Sequence, residues 1–213
     1  MITIIDYGMG NLRSVQKAAA ALGKSVRVTD SPVLIKKSHK IIFPGVGHFG
    51  KAVKELKARG LYQLLKDKIK DGVPFLGICL GMQLLFEASE EAKGANGLAV
   101  LEGNVKLFRL KNLIVPHMGW NQIRLQAPVP RLQAKNQRPK ISPLLKNIPD
   151  GSYFYFAHSY YCRPADKGTI LTTTDYGRGF ASSVNKDNVW GVQFHPEKSQ
   201  DLGLRVFNNF LDI

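Results

Sequence analysis

Residues 75–85 read "FLGICLGMQLL". The stretch opens as the short apolar run of a fully buried strand and then changes to helical spacing. At the change, Gly77 and Gly81 bracket a lone thiol, Cys79. Glycine permits a sharp strand-to-helix turn that projects the residue between from the sheet edge, the geometry of a nucleophile elbow. Cys79 would then stand at a helix N-terminus, where free N–H groups favour thiolate over thiol. A buried strand passing directly into a helix also sets the fold class, because such units recur on the N-terminal side of it.

Upstream, "MITIID" is a short β-rich strand. Asn11 can cap a helix whose apolar positions Leu12, Val15, Ala19 and Leu22 recur at helical spacing until Gly23. "SVRVTD" alternates like a strand, "KIIFPGVG" is a buried strand ending in a glycine turn, and residues 49–69 hold helical segments broken at Gly60. After "VPFLGI" the spacing predicts a helix from Leu80 to about Ala88. This order implies an α/β fold with an open, mostly parallel central sheet and helices on both faces. Downstream, "NVKLFRL", "NQIRLQ", "SYFYFAHSYY", "TILTTTD", "GFASSVNK" and "VWGVQFHP" are short and β-branched or aromatic, which predicts antiparallel strands beside the parallel core. Asp201 is placed to cap a final helix. A ligand is expected at the carboxyl ends of the parallel strands, where loops 44–49 and 77–81 gather.

With 213 residues, 44% of them hydrophobic, one domain spanning 1–213 is expected. No apolar run reaches about 18 residues, and the N-terminus enters a strand without a basic head, so no membrane partner and a cytoplasmic location are expected. The only cysteines, Cys79 and Cys162, exclude a disulfide framework. The net charge of +14 is concentrated: residues 103–149 carry nine Lys or Arg and no Asp or Glu. Within that span the Pro-rich segment at about 127–142 reads as an exposed basic loop. It lacks the interleaved aromatics that stack on bases, so nucleic acid is not an expected partner.

A thiolate nucleophile needs a proton carrier, and "VWGVQFHPEKS" supplies one. A strand delivers His195 to its carboxyl end, and Glu197, two residues on, shares its facing if the chain stays extended. A carboxylate on one imidazole nitrogen fixes the tautomer and leaves the other nitrogen for the thiol. His39, His48, His117 and His158 have no carboxylate so placed and read as surface, structural or binding residues. Donors for an oxyanion are offered by "PGVGHF", through backbone N–H groups around Gly45, Val46 and Gly47, and by the N–H of Leu80 after the nucleophile. No metal or cofactor is called for. Two other readings compete: a non-catalytic scaffold or nucleic-acid-binding domain that keeps the elbow as architecture, and a cysteine peptidase or hydrolase on a related fold.

Together these motifs resemble the class I, triad-type glutamine amidotransferases, flavodoxin-like α/β proteins with a Gly-x-Cys-x-Gly elbow and a late His-Pro-Glu. Within that class, "IDYGMGNLRSV", "FPGVGHFG", "GICLGMQLLFE", "PHMGWN" and "FHPEKS" are similar to the glutaminase subunits of imidazole glycerol phosphate synthases. The resemblance implies that Cys79 attacks the side-chain amide of L-glutamine, His195 shuttles the proton and Glu197 orients His195. It implies glutamine contacts from Gly45, Gln83, Glu91, Ser159 and Tyr160. It also implies a heterodimer with a (β/α)₈-barrel cyclase in histidine biosynthesis, with Asn11, Trp120, Tyr155 and Lys198 toward the interface. The free subunit is then expected to hydrolyse glutamine slowly until its partner organises the "PGVG" peptide. Relative to this family, the segment at 127–142 looks like an insertion, and the alternative acceptor is a sugar precursor served by paralogous pairs.

Overall fold

A computed structural model describes residues 1–126 and 142–213. The expected basic loop therefore falls, apart from Ser142, outside the described residues. The first half of the chain runs β1 (Ile2–Ile5), α1 (Leu12–Ala21), β2 (Val26–Thr29), α2 (Pro32–Lys36), β3 (Lys40–Gly45), α3 (Phe49–Ala58), α4 (Leu61–Lys70), β4 (Phe75–Cys79), α5 (Leu80–Gln83) and β5 (Phe86–Ser89). The second half is β-rich: β6 (Leu101–Leu107), β7 (His117–Gln122), β8 (Arg124–Leu125), β9 (Tyr153–His158), β10 (Tyr160–Pro164), β11 (Ile170–Asp175), β12 (Gly179–Lys186) and β13 (Val189–Val192), then α6 (Gln200–Asp212).

Eight strands form one sheet in the order β2-β1-β3-β4-β13-β12-β11-β8. From β2 to β13 neighbours are parallel, and from β13 to β8 they are antiparallel. The parallel strands are apolar on both sides, as strands covered by helices must be. Ile4, Ile42, Leu76 and Ile78 face α1 and α6 through Val15, Ala19, Val206, Phe207 and Phe210. On the other face, Ile5, Ile41, Phe43 and Phe75 pack on Val53 and Leu56 of α3 and Leu61 and Leu65 of α4. Burying each such side chain contributes about 1.5–3 kcal/mol. Two small sheets, β10-β6-β5 and β7-β9, complete the β-rich half.

Several expectations are corrected. "VWGV" is not one of the antiparallel additions: β13 runs parallel to β4, with Val192 opposite Ile78, and so belongs to the parallel core. Both the antiparallel β12 and the parallel β4 accept an apolar strand, which is why composition did not separate them. The helix after Cys79 stops at Gln83 rather than Ala88, because Phe86 pairs with Leu101 and the carbonyls of Leu84, Leu85 and Phe86 accept bonds from residues 98–101. "NQIRLQ" is split between β7 and β8 at the buried Ile123, and "SYFYFAHSYY" is split at Ser159 into strands of two different sheets. The cap of α6 is Ser199, leaving Asp201 in its first turn. Asn11 does cap α1, its side-chain oxygen accepting from the Ser14 N–H.

Candidate active site

The elbow forms as the glycines require. Cys79 ends β4 with φ 54° and ψ −110°, a left-handed conformation costly for a side-chain-bearing residue. A Cβ on Gly77 would lie 2.7 Å from the Gly81 carbonyl oxygen, and one on Gly81 would overlap the Phe43 carbonyl oxygen of β3. Both glycines are therefore demanded by close backbone approach, with strand and helix folded tightly over one another. The helix that follows is a single turn, so any preference for a thiolate comes from that first turn alone.

Cys79 lies at the floor of a cleft of about 300 Å³, lined also by Val46, Gly47, Leu80, Gln83, Glu91, Ser159 and Tyr160. This is the expected place, beyond the carboxyl ends of β3 and β4, where Gly45 is in register with Cys79. Gly47 takes φ 107°, and Val46 between the two glycines is 42% exposed, so the "PGVG" turn stands out over the cleft. Beneath it, the Tyr7 hydroxyl occupies the space a Gly45 side chain would need. It is fully buried and has no hydrogen-bond partner among the described residues. Burial, with a further contribution from Cys79, raises its pKa.

His195 and Glu197 do not line this cleft. They lie in an adjoining crevice with Asn11, Gly45 and Val46. The chain is not extended there: β13 ends at Val192, and Pro196–Lys198 form a 3₁₀ turn. The turn brings Glu197 Oε1 to 2.9 Å from His195 Nδ1, with both side chains 3% exposed. Burial favours the neutral ring, but the charges of the Cys79 sulfur and of Glu197 outweigh it and raise the His195 pKa to about 10. His195 Nε2 is buried and makes no hydrogen bond among the described residues. The ring is thus held in one orientation by Glu197, with its other nitrogen uncommitted among the described residues.

Gln83 is 5% exposed and donates from Nε2 to the Tyr160 carbonyl (3.0 Å) and to Gln193 Oε1 (3.2 Å). Both its donor hydrogens are thereby used, which leaves Oε1, an acceptor, for a ligand. Glu91 Oε2 accepts from the Phe49 N–H at 2.7 Å, so its carboxylate ties the start of α3, just after the "PGVG" turn, to the cleft wall. The Ser159 carbonyl accepts from Phe108 N, and the Tyr160 carbonyl also accepts from His158 Nδ1 at 2.8 Å. The Tyr160 carbonyl, with two donors, is fully used, whereas the Ser159 carbonyl keeps one lone pair for a ligand. His158 Nε2 in turn accepts from His117 Nδ1 (3.0 Å), whose Nε2 accepts from Asn121 (3.2 Å). The two rings are buried and structural, with burial lowering their pKa values to about 4 at His117 and about 3 at His158.

Sequence reasoning missed Gln193, which is fully buried with Nε2 3.6 Å from the Cys79 sulfur. A partial signal was available: an amide directly after the apolar run "VWGV", two positions before His195. Pro116, Met118 and Ala157, which also line the cleft, carried no such signal. Trp120 is 47% exposed and sets its ring edge-on to Tyr155 at 6.2 Å. Lys198 Nζ lies 5.6 Å from the centre of the Tyr155 ring, and Tyr155 is 6.5 Å from the His195 ring. Trp120, Tyr155 and Lys198 thus cluster beside His195, and Asn11 lines the crevice that holds it.

A family model described as "Glutamine amidotransferase class-I" matches residues 3–213. The imidazole glycerol phosphate synthase subunit HisH of Syntrophotalea carbinolica is 45% identical over 219 residues, covering all of both chains. That of Moorella thermoacetica is 47% identical over 209 residues, covering 98% of this chain and 93% of the relative. Among solved structures, one described as a glutamine amidotransferase superposes with a TM-score of 0.72 at 17% identity, covering 100% of this chain and 98% of the other, a likeness of fold.

Proposed function

The chain belongs to the class-I glutamine amidotransferases and, within them, to the HisH subunits of imidazole glycerol phosphate synthase, and from that membership we propose how it works. It hydrolyses L-glutamine to glutamate and ammonia for histidine biosynthesis. The Cys79 thiolate adds to the side-chain carbonyl of glutamine, and the negative charge passes to the carbonyl oxygen. The N–H groups of Leu80 and of the Val46–Gly47 turn receive that oxyanion. The His195 imidazolium gives its proton from Nε2 to the amide nitrogen, the C–N bond breaks, ammonia leaves and a glutamyl thioester remains. Neutral His195 then takes a proton from water as it attacks the thioester, and glutamate departs with Cys79 restored. Glu197 holds Nδ1 throughout and stabilises the imidazolium. Gln83 Oε1 suits the substrate α-ammonium; Gly45, Glu91, Ser159 and Tyr160 complete the glutamine contacts.

The observation that carries this reading is the buried His195: Nδ1 is held 2.9 Å from Glu197 Oε1, and Nε2, buried and without a hydrogen bond among the described residues, is left to serve Cys79. We further propose that residues 1–213 form one amidotransferase domain, that it works in the cytoplasm, and that Trp120, Tyr155, Lys198 and Asn11 meet a cyclase subunit. The exposure of Trp120 beside Tyr155 supports this, since aromatic residues are enriched at interface centres. The partner receives ammonia directly, because in bulk water near neutral pH it would protonate and lose its nucleophilicity. The test is glutamine hydrolysis by the chain alone and with the cyclase plus its nucleotide ligand, with Cys79→Ala as control. Stimulation by the partner that the substitution abolishes is expected; equal rates for both proteins would reject the nucleophile.

A further inference from the structure

Among the described residues that approach Cys79, Gln193 has no role in the chemistry above. Its backbone N–H is fixed to the Ser182 carbonyl at 2.9 Å, and its side chain is wholly buried between Gln83 and the Cys79 sulfur. An amide can usually present either end, so its orientation must be argued. Here a main-chain oxygen decides it. The Tyr160 carbonyl can only accept, so Gln83 must turn Nε2 toward it (3.0 Å). The same nitrogen is 3.2 Å from the Gln193 amide, which must answer with its oxygen. Gln193 Nε2 is then left pointing at the sulfur, 3.6 Å away, an ordinary N–H···S separation given the radius of sulfur.

Besides His195, the sulfur has the Ala157 carbonyl at 4.0 Å, which can accept weakly from a thiol but offers nothing to a thiolate. The donor therefore counts most once Cys79 is deprotonated, because a thiol sulfur accepts only weakly. We propose that Gln193 is a positioning residue: it donates a hydrogen bond to the Cys79 thiolate, with its orientation imposed through Gln83 by the Tyr160 carbonyl. This deepens the glutaminase reading and rests on Cys79 being its nucleophile. It also joins the nucleophile, by two amides in series, to the group proposed to hold the substrate ammonium.

The test is the pH dependence of Cys79 alkylation by iodoacetamide in the full chain, read by mass spectrometry of the Cys79 peptide so that Cys162 does not contribute. Gln193→Met keeps the length and removes the donor; Gln193→Glu keeps the shape and replaces the donor with an acceptor. Both should move the midpoint up by about one pH unit, which slows alkylation about tenfold below the midpoint and leaves the plateau rate at high pH unchanged. A structural role alone would lower the rate at every pH without moving the midpoint, and an unmoved midpoint overturns the proposal. Should neither variant fold, the side-chain amide resonance of Gln193 in the ¹⁵N-labelled wild-type protein decides. It should shift as Cys79 titrates and cease to do so in Cys79→Ala; an invariant resonance overturns the proposal. Labelling of Cys79 by 6-diazo-5-oxo-L-norleucine is a separate readout. Its failure counts against the glutaminase reading and leaves the alkylation profile to judge Gln193 on its own.

Discussion

Acid should weaken this protein through the His117–His158 pair well before its carboxylates protonate. The His117 ring is stacked between Phe156 (4.8 Å between centroids) and Tyr176 (4.0 Å) and bonded to His158 and Asn121, with no carboxylate among these contacts to stabilise an imidazolium. Its folded pKa, lowered by burial to about 4 from 6.5, means that below pH 6.5 the unfolded chain binds a proton the folded chain refuses. Stability therefore falls as pH falls through that window and is unaffected above it. At about 1.4 kcal/mol per unit, the ring costs roughly 2 kcal/mol by pH 5 and roughly 3 by pH 4. The assay is urea unfolding at pH 7.5 and pH 5 for the wild-type protein and for His117→Gln, which retains a donor for His158. Comparing the two removes contributions from every other titrating group, including His195, whose raised pKa acts in the opposite sense. The wild-type protein should lose about 2 kcal/mol more than the variant. Parallel losses would show that the ring is not held neutral by burial, and the reasoning would fail.

Three further outcomes follow from the geometry. Glu197→Gln keeps an acceptor for His195 Nδ1 but removes its charge, and should slow kcat for glutamine roughly 100- to 1000-fold with little change in folding; an unchanged kcat would remove Glu197 from the mechanism. Gly81→Ala must displace the Phe43 carbonyl of β3 and should cost about 3 kcal/mol or more in urea unfolding, so near-wild-type stability would contradict the close packing of the elbow. Lys40, 9% exposed, donates to the carbonyls of Phe210 (3.0 Å) and Leu211 (2.6 Å) at the end of α6. Lys40→Met should cost about 1–3 kcal/mol by thermal or urea unfolding, and no loss would mean that water serves those carbonyls equally well.

The elbow, the glycine turn after β3 and the His195–Glu197 pair were legible because each rests on a local requirement: a glycine where no Cβ fits, a carboxylate within reach of an imidazole. What was not legible depended on partners distant in sequence. Nothing in "LGMQLLFEA" announces that Phe86 will leave a helix to pair with Leu101, or that Val192 will lie beside Ile78. Likewise "HMGWN" and "AHSYY" gave no sign that His117 and His158 would meet in a buried chain, since only the β7–β9 pairing brings them opposite one another. Gln193 fell between these cases. Its polarity directly after an apolar run was visible, but its contact with Gln83, 110 residues away, was not.

The left-handed backbone at Cys79 sets folding and reaction at odds at one position. Glycine there would relieve the conformational penalty, of order 1 kcal/mol or more, but would also remove a side chain that is packed into the core, so the strained backbone and the buried sulfur are held together at one residue.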